Sequence, residues 1–360
     1  MSSAATVNAS GKATLILRCA DRPVCRVLPI NAADVATILN IVRETGATFA
    51  VKSGGHNSYA SGTNAENGIT IDLSRLKDIT VSDDRNSVTV GAGCRFGEIY
   101  DKLEAHGLGC VGGRISSVRI SGLTMGGGIS FFSSERGLAC DNVISYELVL
   151  ANGQILNVSE KSHPDLFWGM RGAGITLGIV TLFDAFNKFV QDASDFSTEA
   201  FMLATDAAKD GKSVYAVITS HSNPHSNTAA FDDIKSLTPL ASTSQIRSLK
   251  NLCDEMDSQN EPGFRFRTSS LSRWTDIQHD QIIFDVADQF VDKVEKAAQA
   301  QGTFHRYQYL NYAARHQDVY GSYGEENRKR LLEIKAKYDP EDLMSTLRPG
   351  IIQLSGSQKA

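Results

Sequence analysis

No stretch of this sequence approaches the roughly 18 consecutive apolar residues that a membrane-spanning helix needs. Nor is there a block of lysine and arginine, or basic residues interleaved with aromatics. The net charge is −5 and the pI about 5.9, so neither nucleic acid nor a membrane is an expected partner. A secretory leader is missing too: Met1 to Lys12 is polar and small, and Leu15-Ile16-Leu17 is too short for its apolar core. The chain as written is expected to be cytoplasmic. Six cysteines (Cys19, Cys25, Cys94, Cys110, Cys140, Cys253) are scattered without a Cys-x-x-Cys pair. They read as buried thiols rather than a disulfide framework or zinc site, and no metal is expected. Without a leader, the sequons Asn8-Ala9-Ser10 and Asn157-Val158-Ser159 are ascribed to chance.

What the chain does have is glycine in one place. Gly112-Gly113-Arg114 leads to Gly122-Leu123-Thr124-Met125-Gly126-Gly127-Gly128, interleaved with Ser116, Ser117 and Ser121. Such a run makes a poor helix and a poor strand. It lets backbone N–H groups approach a ligand closely, which suits a phosphate or pyrophosphate. Its flanks (Val118, Ile120, Ile129, Phe131, Phe132) are too apolar for a solvated linker. With 41% hydrophobic and 21% charged residues over 360 positions, the chain is an ordinary globular one with room for two domains.

Along the chain, Cys25 to Pro29 is a short strand, followed by a helix that Asn31 caps, Val35, Ile38, Leu39 and Val42 face, and Gly46 ends. Thr48 to Val51 follows as a buried strand, so the chain opens in β-α-β order. At its tip lies Lys52-Ser53-Gly54-Gly55-His56-Asn57, a glycine bend presenting a histidine where α/β proteins place ligands. Ile69 to Leu73 and Ser87 to Val90 alternate as strands, and Arg95 to His106 is an amphipathic helix. After the glycine run, Val143 to Leu150 and Gln154 to Val158 form a hairpin around Asn152-Gly153. Asp165 to Arg171 is a short helix, and Ile179 to Phe183 a strand. Gly172-Ala173-Gly174 is no dinucleotide fingerprint, because it precedes a strand. Gly211-Lys212-Ser213 lacks the leading glycine of a phosphate loop, since Asp206 stands there. From Phe186 to Gly302 glycine thins out, and helical segments alternate with a strand at Ser213 to Thr219. His221 and His225 are read as loop residues, not metal ligands. Tyr307 to Tyr312 alternates like an aromatic strand, and Glu325 to Lys337 is a polar helix.

The ordered motifs Lys-Ser-Gly-Gly-His, Gly-Leu-Thr-Met-Gly-Gly-Gly, Gly137-Leu138-Ala139-Cys140-Asp141-Asn142-Val143, Asp165-Leu166-Phe167-Trp168 and Gly178-Ile179-Val180-Thr181 resemble the berberine-bridge-enzyme-like flavoenzymes. These share the FAD-binding domain of vanillyl-alcohol oxidase and p-cresol methylhydroxylase. The tail Tyr309-Leu310-Asn311-Tyr312, Asn327 and Tyr338-Asp339-Pro340 resembles the same family's C-terminal signature, in wording close to fungal secondary-metabolism members.

The resemblance implies an α+β fold with a two-part FAD-binding domain (1–185 and 303–360) around a shortened substrate domain (186–302), an antiparallel sheet backed by helices. It assigns FAD contacts to Lys52, Ser53, Gly54, Gly55, His56 and Asn57, and to Gly113, Ser117, Val118, Gly122, Leu123, Gly126, Gly127, Gly128 and Ser130. Gly137, Asp141, Asn142, Val143, Ile179, Val180, Asn311 and Tyr312 complete that set. His56 matches the histidine that bonds covalently to the flavin, and an imidazole is a good neutral nucleophile. A second tether found in relatives is absent, since Ile115 stands at its cysteine position. Arg119 and Ser121 replace glycines, and Ile129 replaces a tyrosine. The implied activity is oxidation of a small organic substrate by hydride transfer to FAD, with dioxygen as acceptor. Tyr309 is the candidate base, with Tyr312 and Tyr307 behind it and Lys52 or Arg306 as helper. The short substrate domain leaves open a non-redox cyclase or isomerase, or a flavin-binding relic, that keeps FAD structurally.

Overall fold

The computed structural model describes residues 21–57, 59–186, 198–203, 216–221, 231, 242–258, 265–267, 272–274 and 277–356. Cys19, the Asn8 sequon, the Leu15 run, Gly211-Lys212-Ser213 and His225 lie outside them.

The chain opens as expected, and the strand read at Ile69–Leu73 joins the same sheet. Strand β1 (Cys25–Val27), helix α1 (Ala32–Thr45), β2 (Phe49–Lys52) and β3 (Ile69–Asp72) make a three-stranded parallel sheet with β3 between the other two. Asn31 Oδ1 accepts the Asp34 N–H at 2.8 Å, which satisfies one orphan donor of the first turn. Gly46 closes the helix at φ +67°, where a Cβ would be strained. Val35, Leu39 and Val42 bury the helix's inner face.

A second, antiparallel sheet is ordered β4 (Ile79–Val81), β5 (Ser87–Gly91), β8 (Ile179–Phe186), β6 (Val143–Val149), β7 (Ile155–Ser159). Helix α2 (Phe96–Glu104) lies between β5 and the glycine run. The hairpin expected at Asn152-Gly153 forms, but with a three-residue loop, Ala151 to Gly153: the Leu150 N–H donates to the Gln154 carbonyl and the Gly153 N–H to the Leu150 carbonyl, both at 2.9 Å, with Gly153 at φ +81°. On the central strands, Tyr146 is fully buried edge-on to Phe183, with ring centres 5.6 Å apart. Helix α3 (Ile120–Met125) forms inside the glycine run, and α4 (Pro164–Ala173) breaks at Gly172, whose φ is +98°. The apolar residues of these elements belong to one core.

In the part following Phe186, the strand expected at Ser213–Thr219 runs over Ala216–His221 as β10, paired antiparallel with β9 (Thr198–Leu203). His221 thus ends a strand instead of standing in a loop. Among the described residues this part holds only two-stranded sheets. Helix α5 (Leu249–Ser258) packs back on the first domain, with Cys253 fully buried and its Sγ 3.7 Å from the Gly113 carbonyl. Helix α6 (Asp280–Ala300) is the longest among the described residues, and α7 (Glu325–Tyr338) follows the polar pattern read for it. No described helix is long and apolar enough to cross a membrane. Cys94, Cys110, Cys140 and Cys253 are buried free thiols, and burial pushes each up to about 12.

Candidate functional site

Three segments converge: the loop after β2, the glycine run, and the C-terminal stretch before α7. Tyr307–Tyr312 is not a strand. It pairs with no strand among the described residues and ends in a 3₁₀ turn at Leu310–Tyr312. Alternation alone cannot make a strand when no neighbour supplies the ladder.

Tyr309 and Asn311 still share one face. The Gly128 and Ile129 N–H groups donate to the Tyr309 hydroxyl at 3.1 and 3.0 Å. Asn311 Nδ2 donates to the same oxygen at 2.9 Å, and to the Leu123 carbonyl at 2.9 Å. With three donors on its oxygen, the phenol's own proton is directed elsewhere. Burial raises Tyr309 above the ordinary tyrosine value, and these donors only partly offset it. The expected cationic helper is therefore replaced by two amides and a carboxamide, and Arg306 lies against Gly324 instead.

The glycines serve this contact. A Cβ on Gly126 would stand 2.2 Å from Asn311 Oδ1, and one on Gly127 would stand 3.1 Å from the Tyr309 ring. Gly127 and Gly128 take φ of +111° and +88°, which L side chains rarely adopt. The Gly126 and Gly127 N–H groups donate to the Gly122 and Thr124 carbonyls, and that of Ser130 donates to Ser133 Oγ. This half of the run thus holds the C-terminal tail rather than offering free amides to a phosphate. The Gly137–Val143 motif supports it from behind. Ala139 and Cys140 N–H groups donate to the Gly128 and Gly127 carbonyls at 2.8 and 2.9 Å. Asp141 accepts the Leu138 N–H, while Asn142 donates to the Arg136 and Leu138 carbonyls.

Other expected contacts face inward. Gly113 is packed on Phe96, and its carbonyl accepts from the Tyr100 hydroxyl at 2.8 Å. Val143, Ile179 and Val180 are buried in the sheet. The Ser53 hydroxyl donates to the Ala92 carbonyl, and the Ser117 hydroxyl donates to Asp257 of α5 at 2.5 Å. Asn57 Nδ2 donates to the Gly350 carbonyl at 3.1 Å, and Val118 is half-buried with its carbonyl on the Phe96 N–H. Lys52 lies over Gly55, its Cε 3.4 Å from where a Cβ would stand. Tyr312 is exposed, edge-on to Tyr309, and accepts a bond from Arg114 at 2.9 Å.

The open part is the other half. Gly122 is exposed, with nothing within 4 Å of where its Cβ would stand. The first turn of α3 leaves the Ser121 and Gly122 N–H groups without intrahelical acceptors. Beside it lies exposed Gly54, where a Cβ would meet the His56 ring at 3.0 Å and the Arg119 nitrogen at 3.3 Å. Arg119 donates one N–H to the Ser53 carbonyl, and its Nε is buried without a partner among the described residues. Burial holds His56 below its ordinary value; Asp257 opposes this, whereas Arg119 and Arg95 reinforce it. The imidazole is therefore neutral near pH 7. An open glycine turn, an orphaned guanidinium donor and a neutral imidazole fit the diphosphate and ring of FAD. No cluster of metal-ligating residues occurs among the described ones.

The fold is of the vanillyl-alcohol oxidase and p-cresol methylhydroxylase type. Residues 23–159 match the FAD-binding-domain family, and residues 308–345 match the berberine and berberine-like family. Together these two matches support a berberine-bridge-enzyme-like FAD-linked oxidoreductase family. The chain is similar to the FAD-dependent monooxygenase tpcD of Cochliobolus heterostrophus, 28% identical over 437 residues, 91% of this chain and 84% of that protein. That aligned stretch exceeds the 360 residues of the whole chain, so the relative carries segments with no counterpart here. The fold is that of the carbohydrate oxidase of Microdochium nivale (TM-score 0.78, 18% identity, 97% of each chain). It is also that of 6-hydroxy-D-nicotine oxidase from Arthrobacter nicotinovorans (TM-score 0.75, 19% identity, 93% and 92% of the two chains).

Proposed function

We infer that the protein oxidises a small organic alcohol, amine or secondary-metabolite intermediate, with FAD held covalently through His56. When bound, FAD supplies a two-electron acceptor for the hydride of a substrate C–H, with dioxygen as the terminal acceptor. The protein's part is position and proton handling. His56 in its neutral form has the lone pair needed to bond carbon. The Gly54–Gly55 and Ser121–Gly122 backbones receive the diphosphate, with the Arg119 Nε–H as a charged donor. Tyr309 takes the substrate's O–H or N–H proton, and its three N–H donors stabilise the phenolate that does so.

The observation that carries this reading is the Tyr309 hydroxyl, which accepts from Gly128, Ile129 and Asn311 at once. Plain packing of an aromatic would not require so complete a set. The names of the structural neighbours, oxidases of a carbohydrate and of 6-hydroxy-D-nicotine, support a small organic substrate. The test is anaerobic bleaching of the bound flavin by candidate alcohols and amines, followed by hydrogen peroxide release on admitting air. Absence of bleaching across such a panel would count against redox catalysis. The fungal relative's designation as a monooxygenase favours one second reading, insertion of an oxygen atom into the substrate. Oxygen-18 in the product would select it over peroxide release.

A further inference from the structure

The C-terminal part of the molecule buries a charge. Arg348 is 6% exposed, and among the described residues its one hydrogen bond runs from Nη1 to the Ile175 carbonyl at 2.6 Å. Its Nε–H is buried without an acceptor. Burial pulls the guanidinium down to about 10, so it stays charged at neutral pH. Among the described residues no carboxylate pairs with it, and the one titratable group whose charge acts on it is Tyr320. Tyr320 is fully buried, with its ring edge-on to Tyr323 at 5.6 Å and its hydroxyl without a partner. Burial raises this phenol well above the ordinary tyrosine value, so it is not a phenolate that could neutralise Arg348. Ile175, which accepts from the guanidinium, packs against the same small apolar cluster as Tyr320, with Leu310, Val319 and Leu354. A cationic donor and a neutral donor thus end at one apolar core, with no acceptor for either. Buried donors need acceptors, and a buried cation needs a counter-charge.

We propose that Arg348 and Tyr320 bind a small monovalent anion, such as chloride, inside the C-terminal core. The Nε–H and the phenolic O–H donate to it, and its charge offsets the guanidinium. A water molecule accepts the same two bonds but leaves the cation unmatched. The site bears on the rest of the molecule through the next two residues. The Pro349 carbonyl accepts from Arg315 at 2.9 Å, and the Gly350 carbonyl accepts from Asn57 at 3.1 Å. Gly350 lies so close to the Ser61 carbonyl oxygen that a Cβ would stand 2.0 Å from it. An anion that fixes Arg348 therefore fixes the tail to which the His56 loop is fastened.

The purified holoprotein, melted at constant ionic strength with chloride replacing gluconate, should gain about 2–4 °C for each tenfold rise in chloride above its dissociation constant. Crystals soaked in bromide should show an anomalous peak within hydrogen-bonding reach of Arg348 Nε. Tyr320→Phe keeps the ring and should weaken the chloride response about ten-fold in midpoint concentration, as loss of one bond to a charged group does. Arg348→Met should abolish the response; should it fail to fold, Tyr320→Phe and the bromide map decide. Equal melting in chloride and gluconate overturns the proposal, even with bromide beside Arg348, which is then an adventitious ion only. So does a chloride response that Tyr320→Phe leaves unchanged, or a bromide map with no peak at Arg348.

Discussion

The Tyr309 hydroxyl lies 3.1 Å from the Gly128 amide nitrogen, across 181 residues of sequence. Removing that hydroxyl leaves the Gly128 and Ile129 N–H groups without an acceptor, at about 1–3 kcal/mol for each buried group. Tyr309→Phe should therefore lower the unfolding temperature and slow flavin reduction by about 10² to 10⁴. Tyr312→Phe loses only the Arg114 bond on an exposed ring, so reduction should change little. Anaerobic stopped-flow on both variants checks this, and similar small effects would remove Tyr309 as the base.

The same tyrosine sets the pH profile. Burial raises its value, so at neutral pH the phenol is protonated and the basic form scarce. A base acts when deprotonated. Flavin reduction should rise with pH and level off only above the ordinary tyrosine value of about 10. A plateau that begins below neutrality would assign the proton to another group.

The covalent bond proposed for His56 is tested by acid. Wild-type protein precipitated with acid should keep yellow colour on the peptide containing His56, and His56→Ala should release it. Free flavin in the wild-type supernatant would end the covalent assignment.

Arg119 acts on the same loop through the Ser53 carbonyl. Arg119→Ala removes that tie and the charged Nε donor together. In the His56→Ala background it should weaken FAD binding about ten-fold or more, as loss of a charge-assisted bond does. Unchanged affinity by fluorescence titration would show that the guanidinium only braces the loop.

Local chemistry was legible in the sequence where the determinants are local. The Asn31 cap, the Gly46 stop and the Asn152-Gly153 hairpin all lie where their residue types put them. The family motifs identified the FAD-binding domain, which the match over 23–159 bears out. The role of the three glycines was not legible. Gly126 reads equally as a phosphate turn or as a seat for a side chain, and only the fold brings Asn311 Oδ1 within 2.2 Å of its missing Cβ. The aromatic alternation at Tyr307–Tyr312 misled because a strand needs a partner, and none of the described residues pairs with it.

The bond from Asn57 to the Gly350 carbonyl spans 293 residues, and it closes the loop that presents His56. Contacts so distant in sequence slow folding, because a long loop must close before they form. On the ribosome, the first 300 residues emerge with the glycine turn still lacking Tyr309 and Asn311 to fill it. The nascent N-terminal half therefore waits, its site unformed, until the last sixth of the chain is made. Cofactor capture is then expected only late, and a chain released before Tyr309 should be a client of chaperones rather than a flavoprotein.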